Sequence, residues 1–131
     1  MSTTSVKEAL ILSGAAVSNA VQMVGMKLVA IRQPADVEGT AFGLQASYDN
    51  GHTFTKVYFV KTEATGAAPV TAQWEVAKSA TVTQLILLPD ELKLVGPTHV
   101  KLVSEDGSNT ASNQNADASC QLFFEDLINQ R

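Results

Sequence analysis

A single cysteine, Cys120, stands in 131 residues, so no internal disulfide can form. The default for such a residue is a small buried apolar side chain, and nothing nominates His52 or His99 as the base a nucleophilic thiol would need. Charge is sparse, at 17% of residues, and the nine Lys and Arg are scattered singly. With a net charge of -4 there is no basic patch to grip a phosphate backbone, which argues against a nucleic-acid partner. No stretch combines a basic face with an apolar one, so no membrane-surface helix is expected. Long apolar runs are missing as well. The uncharged segment from Leu10 to Met26 is diluted by Ser13, Gly14, Ser18, Asn19 and Gln22, and Glu8 sits where a leader carries positive charge. The expectation is an uncleaved, soluble chain made in a cytoplasm.

Chemistry-bearing constellations are equally scarce. His52 and His99 belong to no cluster with metal-ligand spacing. Asp49 and Asn50 lack the twelve-residue calcium loop and its terminal Glu, and an Asx-stabilised turn accounts for them. Asp90-Glu91, Glu105-Asp106 and Glu125-Asp126 are adjacent pairs, whereas a glycosidase needs carboxylates facing across a cleft; solvated turns and termini explain them. Phosphate loops, nucleophile elbows and Ser/His/Asp sets are all missing. No catalytic, cofactor-binding or metal-binding residue is expected, and no enzyme.

What is present is strand pattern. Hydrophobic residues make up 45% of a chain long enough for one self-standing core. In residues 40–48, Phe42, Leu44, Ala46 and Tyr48 alternate with Gly43, Gln45 and Ser47, the period of a half-buried strand. Asp49-Asn50-Gly51 then reads as a hairpin turn, with residues 53–60 as the return strand. A similar device is expected further on, with a strand from His99 to Ser104, a turn at Glu105-Asp106-Gly107, a polar loop and a last strand from Ala118 to Glu125. Residues 6–12, 17–23, 26–32, 72–77 and 82–88 are further strands, and Leu85-Ile86-Leu87-Leu88 reads as buried on both faces. Pro89-Asp90-Glu91-Leu92 suits one helical turn. About eight short strands with polar turns predict an all-β, antiparallel β-sandwich over residues 6–131, with a jelly roll the leading topology.

Two places carry more apolar surface than a half-solvated strand requires. Val57 and Phe59 oppose Phe54, Tyr58 and Val60, and Phe123 opposes Leu122 and Phe124. Tyr58, Val60 and Phe123 are therefore candidate interface residues, and they predict a homo-oligomer, a trimer ahead of a dimer. Residues 1–5, with Ser2, Thr3 and Thr4, show no core-facing pattern and are expected to form an N-terminal arm that reaches a neighbouring subunit.

The order of motifs resembles a known group. Val29-Ala30-Ile31-Arg32-Gln33-Pro34-Ala35 and Leu44-Gln45-Ala46-Ser47-Tyr48-Asp49-Asn50-Gly51-His52-Thr53-Phe54 are similar to segments of small structural proteins of tailed phages. Leu87-Leu88-Pro89, Val100-Lys101-Leu102-Val103-Ser104 and Asn113-Gln114-Asn115-Ala116-Asp117 fit the same pattern, so the likeness runs from about residue 17 onward. Some members are capsid cement or decoration proteins with jelly-roll folds. The resemblance implies a non-enzymatic virion protein on the capsid exterior that binds and stabilises the major capsid protein shell. It offers no catalytic residues to carry over. After Pro34-Ala35 the pattern usually has an aromatic where this chain has Asp36-Val37, so contacts of that loop differ. The competing expectation is a tail or baseplate component with a glycan-binding or adaptor role, for which Trp74 is the aromatic at hand.

Overall fold

The computed structural model describes residues 4–61, 68–108 and 110–127. In chain order the strands are β1 (Thr4–Ile11), β2 (Val21–Gln22), β3 (Met26–Gln33), β4 (Ala41–Ser47), β5 (Thr55–Lys56), β6 (Tyr58–Lys61), β7 (Val70–Gln73), β8 (Glu75–Ala77), β9 (Gln84–Leu87), β10 (Leu94–Val95), β11 (His99–Glu105) and β12 (Ala118–Asp126). Among the described residues the one helical element is the 3-10 turn Asp90–Leu92, where the Pro89 turn was read.

The strands divide into two antiparallel five-stranded sheets. The first runs β1-β12-β3, and the far edge of β3 is shared by β10 and β9. The second runs β2-β11-β4, and β4 is flanked by both β5 and β8. The chain crosses between the sheets from β3 to β4 and again from β11 to β12, since β1, β3 and β12 lie in the first and β4 and β11 in the second. This is a β-sandwich. Among the described residues the strands exceed eight because short segments share one neighbour, β9 and β10 along β3 and β5 and β8 along β4.

Alternation fills the layer between the sheets. Ala9, Ile11, Leu28, Ile31, Cys120, Leu122 and Phe124 come from the first sheet, and Val21, Phe42, Leu44, Val76, Val100 and Leu102 from the second. Trp74, between β7 and β8, plugs the core and donates its indole N–H to the Leu92 carbonyl at 2.7 Å. An indole buried in this way needs such a partner, and Leu92 supplies it at the end of the 3-10 turn.

Several local expectations change. The return strand expected over residues 53–60 is split. Only Thr55 and Lys56 pair with β4, and Tyr58–Lys61 turns away to pair with β7 as a separate two-stranded ribbon. The break falls at Val57, whose N–H bonds the Leu44 carbonyl while its own carbonyl accepts from Trp74 N–H. Strands β11 and β12 form no hairpin either; they lie in opposite sheets, and the polar loop between them is the crossover. Residues 17–23 shrink to Val21–Gln22 with an isolated bridge at Val17. Thr4 and Ser5, expected in a free arm, instead open β1 opposite Glu125 and Phe124. Ser2 and Thr3 lie outside the described residues. Leu85 and Leu87, expected to be covered on both faces, are exposed, because they stand on the outer face of the first sheet, which nothing covers among the described residues.

The polar segments pin the crossovers. Buried Gln114 accepts from Glu38 N–H at 2.9 Å and donates to the Glu38 carbonyl at 3.2 Å, acting as a backbone surrogate for the β3–β4 connection. At the other end of the sandwich Asn50 (φ 65) and Gly51 (φ 89) both take the left-handed conformation read from the Asn-Gly pair. Asp49 and Ser47 hold that turn by accepting from Thr53 N–H at 2.8 Å and Gly51 N–H at 2.9 Å.

Candidate interaction surfaces

The residues singled out for an interface fall on two different surfaces. Tyr58 and Val60 stand exposed on the β6–β7 ribbon, which projects from the second sheet, while Val57 and Phe59 turn back against the core. Phe123 lies on the outer face of the first sheet, half-buried, because its strand neighbours Leu122 and Phe124 take the inward positions. Thr4 is exposed at the start of β1 on that same outer face, opposite Glu125. One interface joining Tyr58, Val60 and Phe123 is therefore not assembled within a single chain.

The register of the first sheet gathers a row that sequence reading missed. Val6 pairs with Phe123, Phe123 with Ala30, and Ala30 with Leu87. Directly paired residues of antiparallel strands share a face, so these four run side by side across the sheet. Leu85 and Val95 flank the row and are also exposed. The signal in the sequence was the out-facing set of β9, but a continuous apolar run does not say which face is covered.

The ribbon borders an open groove of about 500 Å³, lined by Tyr48, Asp49, Thr53, Thr55, Lys56, Tyr58 and Leu94 among others. Tyr48 and Tyr58 are both exposed, and the Tyr48 ring packs over Gly96, 3.5 Å from where a Cβ would stand. The polar groups here are largely engaged in the fold. Asp49 accepts from Ser47 Oγ at 2.7 Å and from Thr53 N–H, and these hydrogen bonds, the Ser47 hydroxyl first, hold its carboxyl well below the usual range. Lys56 is drawn to Glu105 at 2.7 Å.

That ion pair belongs to a buried polar cluster beneath the ribbon. Glu105 is 1% exposed and also accepts from Gln73 Nε2 at 3.3 and 3.2 Å. Gly43 makes the space, since a Cβ there would lie 2.7 Å from a Glu105 carboxylate oxygen. Glu75, paired with Gly43 across β4 and β8, has one carboxylate oxygen without a partner. Burial, then a hydrogen bond and repulsion from Glu105, pushes the Glu75 carboxyl upward, with Lys56 opposing. A carboxyl raised on folding stabilises the fold only where it stays protonated, and that contribution is lost as pH rises from its unfolded pKa through the folded one. Glu75→Gln is therefore expected to raise the melting temperature at pH 7 and to leave it little changed at pH 4. Equal shifts at both pH values would remove the carboxyl's titration as the cause.

The remaining candidates resolve as structural. Trp74 is buried and offers no aromatic platform. Burial pushes the Cys120 thiol up to about 11, where it stays protonated. His52 is exposed, and His99 contacts Thr98 Oγ1 at 3.1 Å. Among the described residues no three His, Cys, Asp or Glu side chains gather as a metal site. Lys78, 8% exposed, donates to the carbonyls of Val37, Gly39 and Ser79 at 2.7, 2.7 and 3.2 Å, and burial lowers its pKa to about 8. Comparison with protein-family models, with curated proteins and with solved structures finds no match to this chain.

Proposed function

We propose that this chain is a non-enzymatic virion structural protein, a capsid decoration or cement protein that binds the outside of the major capsid protein shell as a homo-oligomer. The observation that carries the reading is the contrast between a closed apolar core and the further apolar side chains left exposed outside it. Eleven large hydrophobic side chains are exposed among the described residues, and seven of them gather on two surfaces: Tyr58, Val60 and Val70 on the β6–β7 ribbon, and Val6, Leu85, Leu87 and Val95 on the outer face of the first sheet. Clusters of that kind mark contact surfaces. The interleaved strand order, β1-β12-β3-β9 facing β2-β11-β4-β5, supports a jelly-roll reading, the topology that the resemblance implies. Repeated weak contacts from an oligomer on a symmetric shell add through avidity, so no single patch needs to be large.

The test is to add the purified protein to phage heads lacking it and image them by electron microscopy. The expected result is density at one repeated lattice position on the exterior, with heads that resist heating better. Density on the tail or baseplate, or no binding, would overturn the capsid reading. A second reading has its own observation, the two exposed tyrosines bordering the groove. Stacking of sugar rings on Tyr48 and Tyr58 would make this a glycan-binding tail module. In that case a glycan array would show binding that Tyr48→Ala abolishes.

A further inference from the structure

We propose that the outer face of the first sheet pairs with the same face of a second copy of this chain, about a twofold axis that runs along the strands between β12 and β3. The pairing gives the homo-oligomer of the proposed function a definite interface, while its own test depends on the geometry of this face and not on a capsid.

Three transverse rows define the face. The middle one is Val6, Phe123, Ala30 and Leu87, with Val6 51% and Leu87 73% exposed. On one side lies Glu8, Gln121, Arg32 and Leu85, and on the other Thr4, Glu125, Lys27 and Val95. Acidic side chains thus sit on β1 and β12, and basic ones on β3. Within one copy Lys27 and Glu125 of this face stand 3.7 Å apart, their side chains 30% and 33% exposed.

A twofold axis along the strands lays β12 of one copy over β3 of the other. Phe123 then meets Ala30, 5% exposed and small enough to leave a recess between Phe123 and Leu87 of its own chain. Val6 meets Leu87, Glu125 meets Lys27, Gln121 meets Arg32, and Glu8 and Thr4 lie over Leu85 and Val95. The large Phe123 faces the small Ala30, and the acid of β12 faces the Lys27 base. A twofold axis across the strands fails this test, because it opposes Arg32 of one copy to Lys27 of the other and stacks Phe123 on itself. A threefold ring requires two different patches to meet, whereas this face complements itself. Aligned packing of two such sheets is a common arrangement. Three strands of eight or nine residues, with β9 and β10 supplying a shorter fourth column, cover roughly 450 Å² per copy, or about 900 Å² in total, the size of a weak interface. Association in the micromolar range is the expected strength.

Cysteine cross-linking of the full-length chain decides it. Within one copy Val6 and Leu87 are three strand spacings apart, about 14 Å, too far for a disulfide. Across the proposed axis they face each other. Mixing Val6→Cys protein with Leu87→Cys protein under mild oxidation should give a cross-linked dimer, while either variant alone should not. Cys120 is buried and serves as a silent background. Sedimentation velocity should show a concentration-dependent dimer that Leu87→Glu weakens at least tenfold, with an unchanged circular dichroism spectrum. Self-linking of Val6→Cys would place the axis across the strands and overturn the proposal. So would a monomer at tens of micromolar, or an oligomer that Leu87→Glu leaves intact.

Discussion

Gly39→Ala should destabilise the protein by roughly 3–5 kcal/mol, among the largest effects a single methyl group can have here. Two causes add. Gly39 has φ 94, a conformation alanine adopts only under strain. Its Cβ would also lie 2.6 Å from the Glu105 carbonyl oxygen and 2.6 Å from Ser104 Oγ. The first of these is backbone and cannot step aside, because the same carbonyl accepts from Thr40 N–H at 2.9 Å in the β4–β11 register. Gly14 separates the causes. Its φ is 84, yet an added Cβ meets nothing within 4 Å. Gly14→Ala should therefore lose only about 1 kcal/mol. Urea midpoints for the two variants measure the difference, and equal losses would show that strain alone matters at residue 39.

Lys78→Met is the second large effect, at about 3 kcal/mol. Methionine replaces the aliphatic stem but leaves the Val37 and Gly39 carbonyls without the donor now 2.7 Å away. The ammonium also stands 5.2 Å from the Phe42 ring, so the contact ties the β3–β4 loop to the core. The pH dependence has a definite sign. A lysine lowered to about 8 on folding binds protons less well in the native state. Its stabilising contribution is complete above the unfolded pKa near 10.5 and falls away as pH drops through 8. The gap between wild type and Lys78→Met should accordingly widen from pH 8 towards pH 10. Urea melts across that range check both magnitude and direction, and a gap that narrows would reverse the assignment.

Gly39 and Lys78 show where reading the chain stopped. Neither was singled out, because what they touch is remote in sequence: Glu105 in one case, and loop residues about forty positions away in the other. Elements governed by near neighbours were legible. Period-two alternation in 41–47 and 118–126 put Phe42, Leu44, Leu122 and Phe124 inside, and Asn50-Gly51 announced a left-handed turn. Local pattern decides which side chains share a face and where backbone must reverse, since those depend on strand pitch and allowed φ.

Partner choice is a different quantity. The residues 53–60 were readable as extended but not as broken at Val57, because the break serves hydrogen bonds to Leu44 and Trp74. The apolar run 85–88 announced a strand, while its place beside β3 came from the sheet register, and the exposure of Leu85 and Leu87 came from the outer face of the first sheet being uncovered among the described residues. Phe123 was marked as surplus from alternation alone, but the row it forms with Val6, Ala30 and Leu87 exists only through the register of four strands. By itself the sequence determined the strand class, the turns and the inward faces, through interactions that span a few residues. The tertiary structure decided which strands are neighbours, which faces stay uncovered and which buried polar groups meet, because those outcomes depend on contacts between segments far apart in the chain.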